Sequence, residues 1–406
     1  MNTKIRMAQQ LCWPLVIIDD DGNAQQVSSS APASRGRKRR ADLVENEPGL
    51  CDVMEDSMRR AKEILALTPS VGSGTDSIAS NSTVPDLAAQ VRAQEIIRFP
   101  LRTVTLRTDR RAVLCAPLLF AAFIVNECEE DEEGTADCFL DALGALWRLP
   151  PRSAFCLAQS RRWKELGVLR PAGGYKLILL DPPWHSRSVQ RARCYETSDR
   201  RDLLAELGPA IDALACKSGC VLLCWVTNNV RVQAFVEESL FARCGATPIA
   251  RWYWAKLAAD GSWAHPGADP HSPHRKPWEP LLIGLIGTDG ACGDKSSRGG
   301  EGTGQFGGRD GRLCNVFDAD SLRLPERLVV CSVPRRHSAK PNLDRLLAPA
   351  APALLGDPDL PPDEAWRRLA KFEGFARSVR PGWHAAGNEV LHGNAMHHNQ
   401  SELAKS

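Results

Sequence analysis

Asp181-Pro182-Pro183-Trp184 follows directly on the apolar run Leu177 to Leu180, bringing a carboxylate, two imino acids and an indole together within one tetrapeptide. A short apolar run bounded by Gly and Pro reads as a buried parallel strand, and open α/β sheets hold their ligands at the carboxyl ends of such strands. A carboxylate in that position suits a flat, neutral, weakly nucleophilic amine such as the exocyclic nitrogen of adenine, whose lone pair is delocalised into the ring. Asp181 can accept one N–H through its side chain and the Pro182 carbonyl can accept the other, with proline's fixed φ setting their spacing. Trp184 offers a face on which a base stacks, worth about 1 to 3 kcal/mol. No metal or covalent nucleophile is required. The competing reading is a plain strand-ending turn, since Asp and Pro are ordinary turn residues. The tetrapeptide is expected by chance on the order of once in a thousand chains of this length, which favours the chemical reading.

Other arrangements that could carry chemistry are weaker. Cys216, Cys220 and Cys224 are spaced closely enough to suggest an iron–sulfur cluster, but position 223 is Leu where the usual spacing needs Cys. Cys220 to Val226 reads instead as a buried strand in which free Cys acts as a small hydrophobe. No Cys-x-x-Cys pair and no His-Glu-x-x-His occurs, so no metal is expected. The chain has 406 residues, fourteen cysteines and a net charge of only +2. Any nucleic-acid surface must therefore be a local patch. No secretory apolar segment opens the chain, and no apolar run approaches the roughly 20 residues needed to span a membrane, so a reducing compartment is expected.

The elements around the motif suggest a doubly wound α/β sheet. After Asp181, helical and strand-like patterns alternate as in βαβ units. Ser198 is placed to cap a helix carrying Leu203, Leu204, Leu207, Ile211 and Leu214. Strand Cys220 to Val226 follows, then a helix with Val232, Phe235, Val236 and Leu240 ending near Gly245. Further strands are expected at Ile249 to Ala255, Leu281 to Ile286, Leu328 to Val333 and Lys371 to Ala376, with a helix at Leu343 to Leu347. The Gly-rich segment 287–312 reads as a flexible insertion.

Upstream, Leu15 to Ile18 fits a short strand, and Val53 to Leu67 a helix with Met54, Met58, Ala61 and Ile64 on one face. Between them, Ser34-Arg35-Gly36-Arg37-Lys38-Arg39-Arg40 is a basic run that suits a nuclear-import signal or a nucleic-acid arm, with a solvated linker as the alternative. Thr68 to Pro85 reads as a linker. Residues 1–98 are thus expected to form an accessory region and 393–406 a disordered tail. Between 99 and 176, a strand is expected at Thr103 to Leu106, an apolar stretch runs from Val113 to Val125, and the acidic run Glu127 to Glu133 suits a solvated loop.

The motif resembles the signature of the eukaryotic adenine-N6 methyltransferases that use S-adenosylmethionine, and its surroundings are closest to the methyltransferase-like protein four branch. The resemblance is carried by Trp184-His185-Ser186-Arg187-Ser188-Val189 with Arg191 and Tyr195, by Trp225-Val226-Thr227-Asn228, and by His274-Arg275-Lys276-Pro277-Trp278-Glu279. It continues through Ser332-Val333-Pro334, His337-Ser338-Ala339-Lys340-Pro341, Phe375-Ala376-Arg377, Pro381-Gly382-Trp383 and Gly387-Asn388-Glu389-Val390. These blocks stand in family order from about residue 145 to 392.

The resemblance implies a Rossmann-like methyltransferase domain over residues 99–392, circularly rearranged, with the target-base half first. That order accounts for the lack of a glycine-rich turn before the catalytic strand. It implies that Lys340 meets the cofactor's methionine carboxylate, that Arg377 and Asn388 reach its ribose and adenine, and that Glu389 accepts from ribose hydroxyls. Lys276, Trp278 and Glu279 would lie beside an unstacked adenosine. Arg187, Arg191, Arg193 and Tyr195 would contact the nucleic acid from a loop. Two positions depart from the pattern: Gln159 stands where an acidic residue is expected, and Ser378 where Asn often follows the arginine.

The expected function is methyl transfer to adenine N6 in RNA, with small nuclear RNA favoured, in the nucleus and without a membrane. A DNA adenine methyltransferase and a catalytically silent RNA-binding subunit stand as the alternatives, and a partner protein is left open.

Overall fold

The computed structural model describes residues 14–18, 24–27, 49–67, 86–94, 102–106, 111–120, 122–129, 137–184, 200–265, 267–271, 276–287, 319–334 and 340–396. The strands in chain order are β1 (Leu15–Ile18), β2 (Ala24–Val27), β3 (Arg102–Leu106), β4 (Arg111–Val113), β5 (Ala122–Asn126), β6 (Cys138–Ala142), β7 (Ala145–Leu149) and β8 (Ser153–Cys156). They continue with β9 (Leu177–Leu180), β10 (Cys220–Trp225), β11 (Ala246–Lys256), β12 (Trp278–Ile286), β13 (Arg327–Ser332), β14 (Lys371–Gly374) and β15 (His384–Ala386). One mixed sheet has the order β2-β1-β13-β11-β12-β10-β9-β14-β15-β8-β5-β3, and β4, β6 and β7 form a small second sheet.

The run from β13 to β8 is parallel except for β12, which is antiparallel to both β10 and β11. Strand β9 is uninterrupted Leu-Ile-Leu-Leu and wholly buried, because helices cover both sheet faces there. On one face, Ile178 and Leu180 pack with residues of the helix Arg200–Leu214 and with Trp163. On the other, Leu177 and Leu179 pack with Leu343, Leu347, Leu354 and Ala365. The expected doubly wound α/β sheet is therefore observed. From β9 the chain proceeds outward to β10 on one side, while the late strands β14 and β15 return to the other side. That reversal makes the carboxyl ends of β9 and β14 the switch point of the sheet, the place where α/β sheets bind ligands. It also places the two last strands, β14 and β15, in the interior of the sheet.

Several expectations need correction. The strand and helix of the first hundred residues do not stand apart from the main domain. Strand β1 pairs in parallel with β13, and the helix Leu50–Leu67 buries Met54 and Ala61 in a cluster with Tyr253, Trp278 and Val329. The apolar stretch from Val113 to Val125 is broken into β4, a short helix Ala116–Phe120 and β5. The expected tail is fixed at its start, where Asn394 donates to the Val379 and Arg148 carbonyls and Met396 N–H donates to Leu146. The basic run 34–40, the linker 68–85, residues 130–136 and most of the Gly-rich segment lie outside the described residues.

Candidate active site

Four charged side chains of alternating sign meet at the carboxyl edge of the sheet. Asp181 follows β9, Glu279 is the second residue of β12, Lys256 ends β11, and Lys340 follows β13. Lys340 Nζ lies 3.2 Å from Asp181 Oδ1 and donates to Glu279 Oε2 at 2.7 Å. Lys256 pairs with the other oxygen, Glu279 Oε1. Side chains two residues apart on a strand share a face, so Asp181 with Leu179, Glu279 with Leu281, and Lys256 with Trp254 all lie on the same side of the sheet. The floor beneath them is aromatic: Lys340 Nζ sits 5.6 Å over the Trp225 ring and 5.9 Å from that of Trp254. Asn228 Nδ2 donates to the Trp278 carbonyl at 2.5 Å and fixes the start of β12, which carries Glu279.

The cluster sets the protonation of its members. Burial alone would raise Glu279, but Lys340 and Lys256 together hold its carboxyl at about 2. Burial raises Asp181 above the usual carboxylate range against the opposing pull of Lys340, and the neighbouring Glu279 charge adds to the rise. Burial would lower Lys340, yet the two carboxylates lift it above the ordinary lysine value. Glu279 is thus a fixed anion, Lys340 a fixed cation, and Asp181 the more adjustable carboxylate.

Within the motif, Asp181 N–H donates to the Gly374 carbonyl at 3.2 Å, clamping it between β9 and β14. The Pro182 carbonyl accepts from Trp184 N–H at 2.8 Å, which fixes its direction and leaves its second lone pair for another donor. Trp184 is not the open stacking face expected. Its side chain is 5% exposed, its Nε1 donates to the Trp225 carbonyl at 2.7 Å, and it packs edge-on against Phe235 on the face opposite Asp181. Trp278 is likewise 1% exposed and packs with the cluster of the helix Leu50–Leu67, while Lys276 Nζ lies 5.1 Å over its ring. Of the block expected beside the base, Glu279 alone reaches Asp181's cluster.

The expected cofactor residues gather on the same edge. Arg377 follows β14 and donates through Nε and Nη2 to Glu389 Oε2 at 2.8 and 2.6 Å, while half-buried Asn388 precedes Glu389 after β15. The backbone here is tight. A Cβ on Gly374 would come within 2.5 Å of the Trp163 ring, and one on Gly387 within 3.0 Å of the Ala376 carbonyl. Phe375 takes the left-handed conformation at φ +59° with its ring 4.6 Å from Trp163, a strained turn that leads straight to Arg377. Gln159, three residues beyond β8, is half-buried on this edge and supplies no side-chain cap to the helical turn that follows.

Further residues here were not singled out from sequence. Arg380 donates to Glu373 Oε2 at 2.8 Å and to Asp344 Oδ1 at 3.0 Å and lies 4.1 Å over the Trp383 ring, tying β14 to the segment that carries Lys340. The Pro381-Gly382-Trp383 block was a signal beside it. Arg187, Arg191, Arg193 and Tyr195 lie outside the described residues. Among the described residues, no helix is long and apolar enough to cross a membrane.

Comparison with known proteins places this edge in context. Residues 175–303 match the MT-A70 family. The chain is similar to the N(6)-adenine-specific methyltransferase METTL4 of Homo sapiens, 28% identical over 254 residues that make up 61% of this chain and 44% of that protein. It is also similar to the N6-methyladenosine RNA methyltransferase MTA1 of Pyricularia oryzae, 31% identical over 64% of this chain and 59% of that one. A DNA N6-methyl methyltransferase of Caenorhabditis elegans is 25% identical over 77% of this chain and 68% of its own length. The chain thus spans about half the length of the first two relatives.

Proposed function

We propose, from the match of residues 175–303 to the MT-A70 family and from the geometry of this edge, that the protein is an S-adenosylmethionine-dependent adenine-N6 methyltransferase acting on nucleic acid, with RNA as substrate. The observation that carries the reading is Asp181 at the switch point of the sheet, held 3.2 Å from the Lys340 ammonium, with Arg377 and Glu389 on the same edge. A small nuclear RNA adenosine and a nuclear location are the finer parts of the proposal. They rest on the branch resemblance and on the basic run 34–40. DNA adenine is the rival substrate, named by the nematode relative. A silent RNA-binding subunit is the less favoured reading, because the motif keeps its carboxylate.

The residues present fit the cofactor. The carboxylate of its amino-acid end needs a cation, and Lys340 is held at this edge by Asp181 and Glu279. Glu389 is an acceptor suited to ribose hydroxyls, and Asn388 and Arg377 supply donors beside it. The buried indole N–H of Trp225, in the floor under Lys340, has no partner among the described residues. When bound, the cofactor supplies an electrophilic methyl on a sulfonium.

The chain's own residues do the remainder. Asp181 Oδ and the free lone pair of the Pro182 carbonyl accept the two amine hydrogens of adenine, drawing electron density onto N6. Lys340 fixes the carboxylate end and Glu279 holds Lys340 in place. An adenine paired in duplex cannot present this amine, so the substrate is single-stranded or flipped out. Mass spectrometry of nucleosides from RNA and DNA incubated separately with protein and S-adenosylmethionine tests the proposal. N6-methyladenosine in the RNA arm is expected. Methylation of DNA alone would reassign the substrate, and none in either arm would favour the silent subunit.

A further inference from the structure

We propose that Lys256 is a positioning residue for Lys340: by holding one oxygen of Glu279, it fixes the other oxygen where Lys340 is presented to the cofactor carboxylate. The inference rests on the reading of Lys340 given above.

The two oxygens of Glu279 serve two different lysines, Oε1 facing Lys256 and Oε2 facing Lys340 at 2.7 Å. Lys256 is held by its backbone as well as by its side chain. Its N–H donates to the Pro277 carbonyl at 2.9 Å, its carbonyl accepts from Ala264 at 3.0 Å, and the next residue donates to Ser332 at 3.0 Å. Its backbone is therefore pinned to the residue that precedes β12, to the loop after β11 and, through Leu257, to β13. The ammonium lies 4.7 Å over the Trp254 ring, and Trp254 stands directly opposite Glu279 across the ladder. With its side chain only 17% exposed, Lys256 is a largely desolvated post against which the Glu279 carboxylate is set.

Without that post, Glu279 would have Lys340 as its one remaining cation among the described residues and would draw it away from Asp181. Among the described residues, the charged groups facing Glu279 are Lys256 from β11, Lys340 from the segment after β13 and Asp181 just after β9. Removing one of the two cations raises the carboxyl toward its ordinary range, so acid would then release Lys340 at a pH where the intact cluster still holds it.

The test is calorimetric binding of S-adenosylhomocysteine to the full chain, wild type beside Lys256→Met, Lys256→Gln and Lys256→Arg, at neutral pH and near pH ~5, a window set by the ordinary carboxylate range. Lys256→Met and Lys256→Gln are expected to bind about tenfold more weakly at neutral pH and to lose more as pH falls, while Lys256→Arg stays within about threefold and flat. Glutamine keeps an N–H for Glu279, so it remains informative if methionine prevents folding. Wild-type affinity in both neutral variants, or a loss that is equal in Lys256→Arg and independent of pH, would overturn the inference. Failure of the wild type itself to bind would instead overturn the cofactor reading.

Discussion

The Lys340 ammonium lies 3.2 Å from Oδ1 of Asp181, so the residue proposed to bind the cofactor carboxylate and the residue proposed to activate the adenine amine are in direct electrostatic contact. The proposed cofactor and base sites are thereby coupled through one ion pair, and the coupling has measurable consequences.

Lys340→Met should weaken S-adenosylhomocysteine binding at least about tenfold. Loss of one partner from a largely buried pair leaves an uncompensated carboxylate, here Asp181, and leaves Glu279 with Lys256 but without its second cation, beside the place where another carboxylate must dock. Calorimetry decides it, and unchanged affinity would refute the placement of the cofactor's amino-acid end.

Glu279 should make the protein acid-sensitive in a defined window. Its folded carboxyl is held at about 2 against an ordinary 4.5, so the unfolded chain takes up a proton where the folded one does not. That stabilisation is complete above pH 4.5, is lost as pH falls toward 2, and amounts to at most about 3 kcal/mol for a side chain 27% exposed. Chemical denaturation of Glu279→Gln and wild type at stepped acid pH should show the wild type losing stability faster below pH 4.5. Parallel curves would mean that Glu279 is not held in its charged form.

Trp184→Phe should cost stability more than catalysis. The change removes the indole donor to the Trp225 carbonyl while keeping an aromatic ring in the core, a loss of about 1 to 2 kcal/mol. A lower melting temperature with transfer within a few-fold of wild type is expected. The reverse pattern would restore Trp184 as a stacking platform.

How much of this was legible in the letters depends on the range of the interaction. Strand β9 and its carboxylate could be read because an apolar run and a rare tetrapeptide are local signals. The same letters do not say on which face an indole lands, since the turn that closes Trp184 N–H onto Pro182 redirects the chain. Strand β1 was recognised as a strand, but its partner β13 lies far along the chain, so its inclusion in the sheet was not legible. Lys256 gave no signal because its partner is 23 residues away on another strand, and a lysine at a strand end is ordinarily solvated. Strand β15 and the helix Pro362–Arg368 are short, and they are held by burial of Ala385, Ala386 and Ala365 that no periodicity announces.

The most direct test of the account is Asp181→Asn, measured by single-turnover methyl transfer to a single-stranded adenine substrate and by S-adenosylhomocysteine affinity on the same preparation. Transfer should fall at least about a hundredfold, while affinity stays within a few-fold because Glu279 still holds Lys340 at 2.7 Å. Undiminished transfer by the variant would contradict the central claim that the Asp181 carboxylate activates the amine.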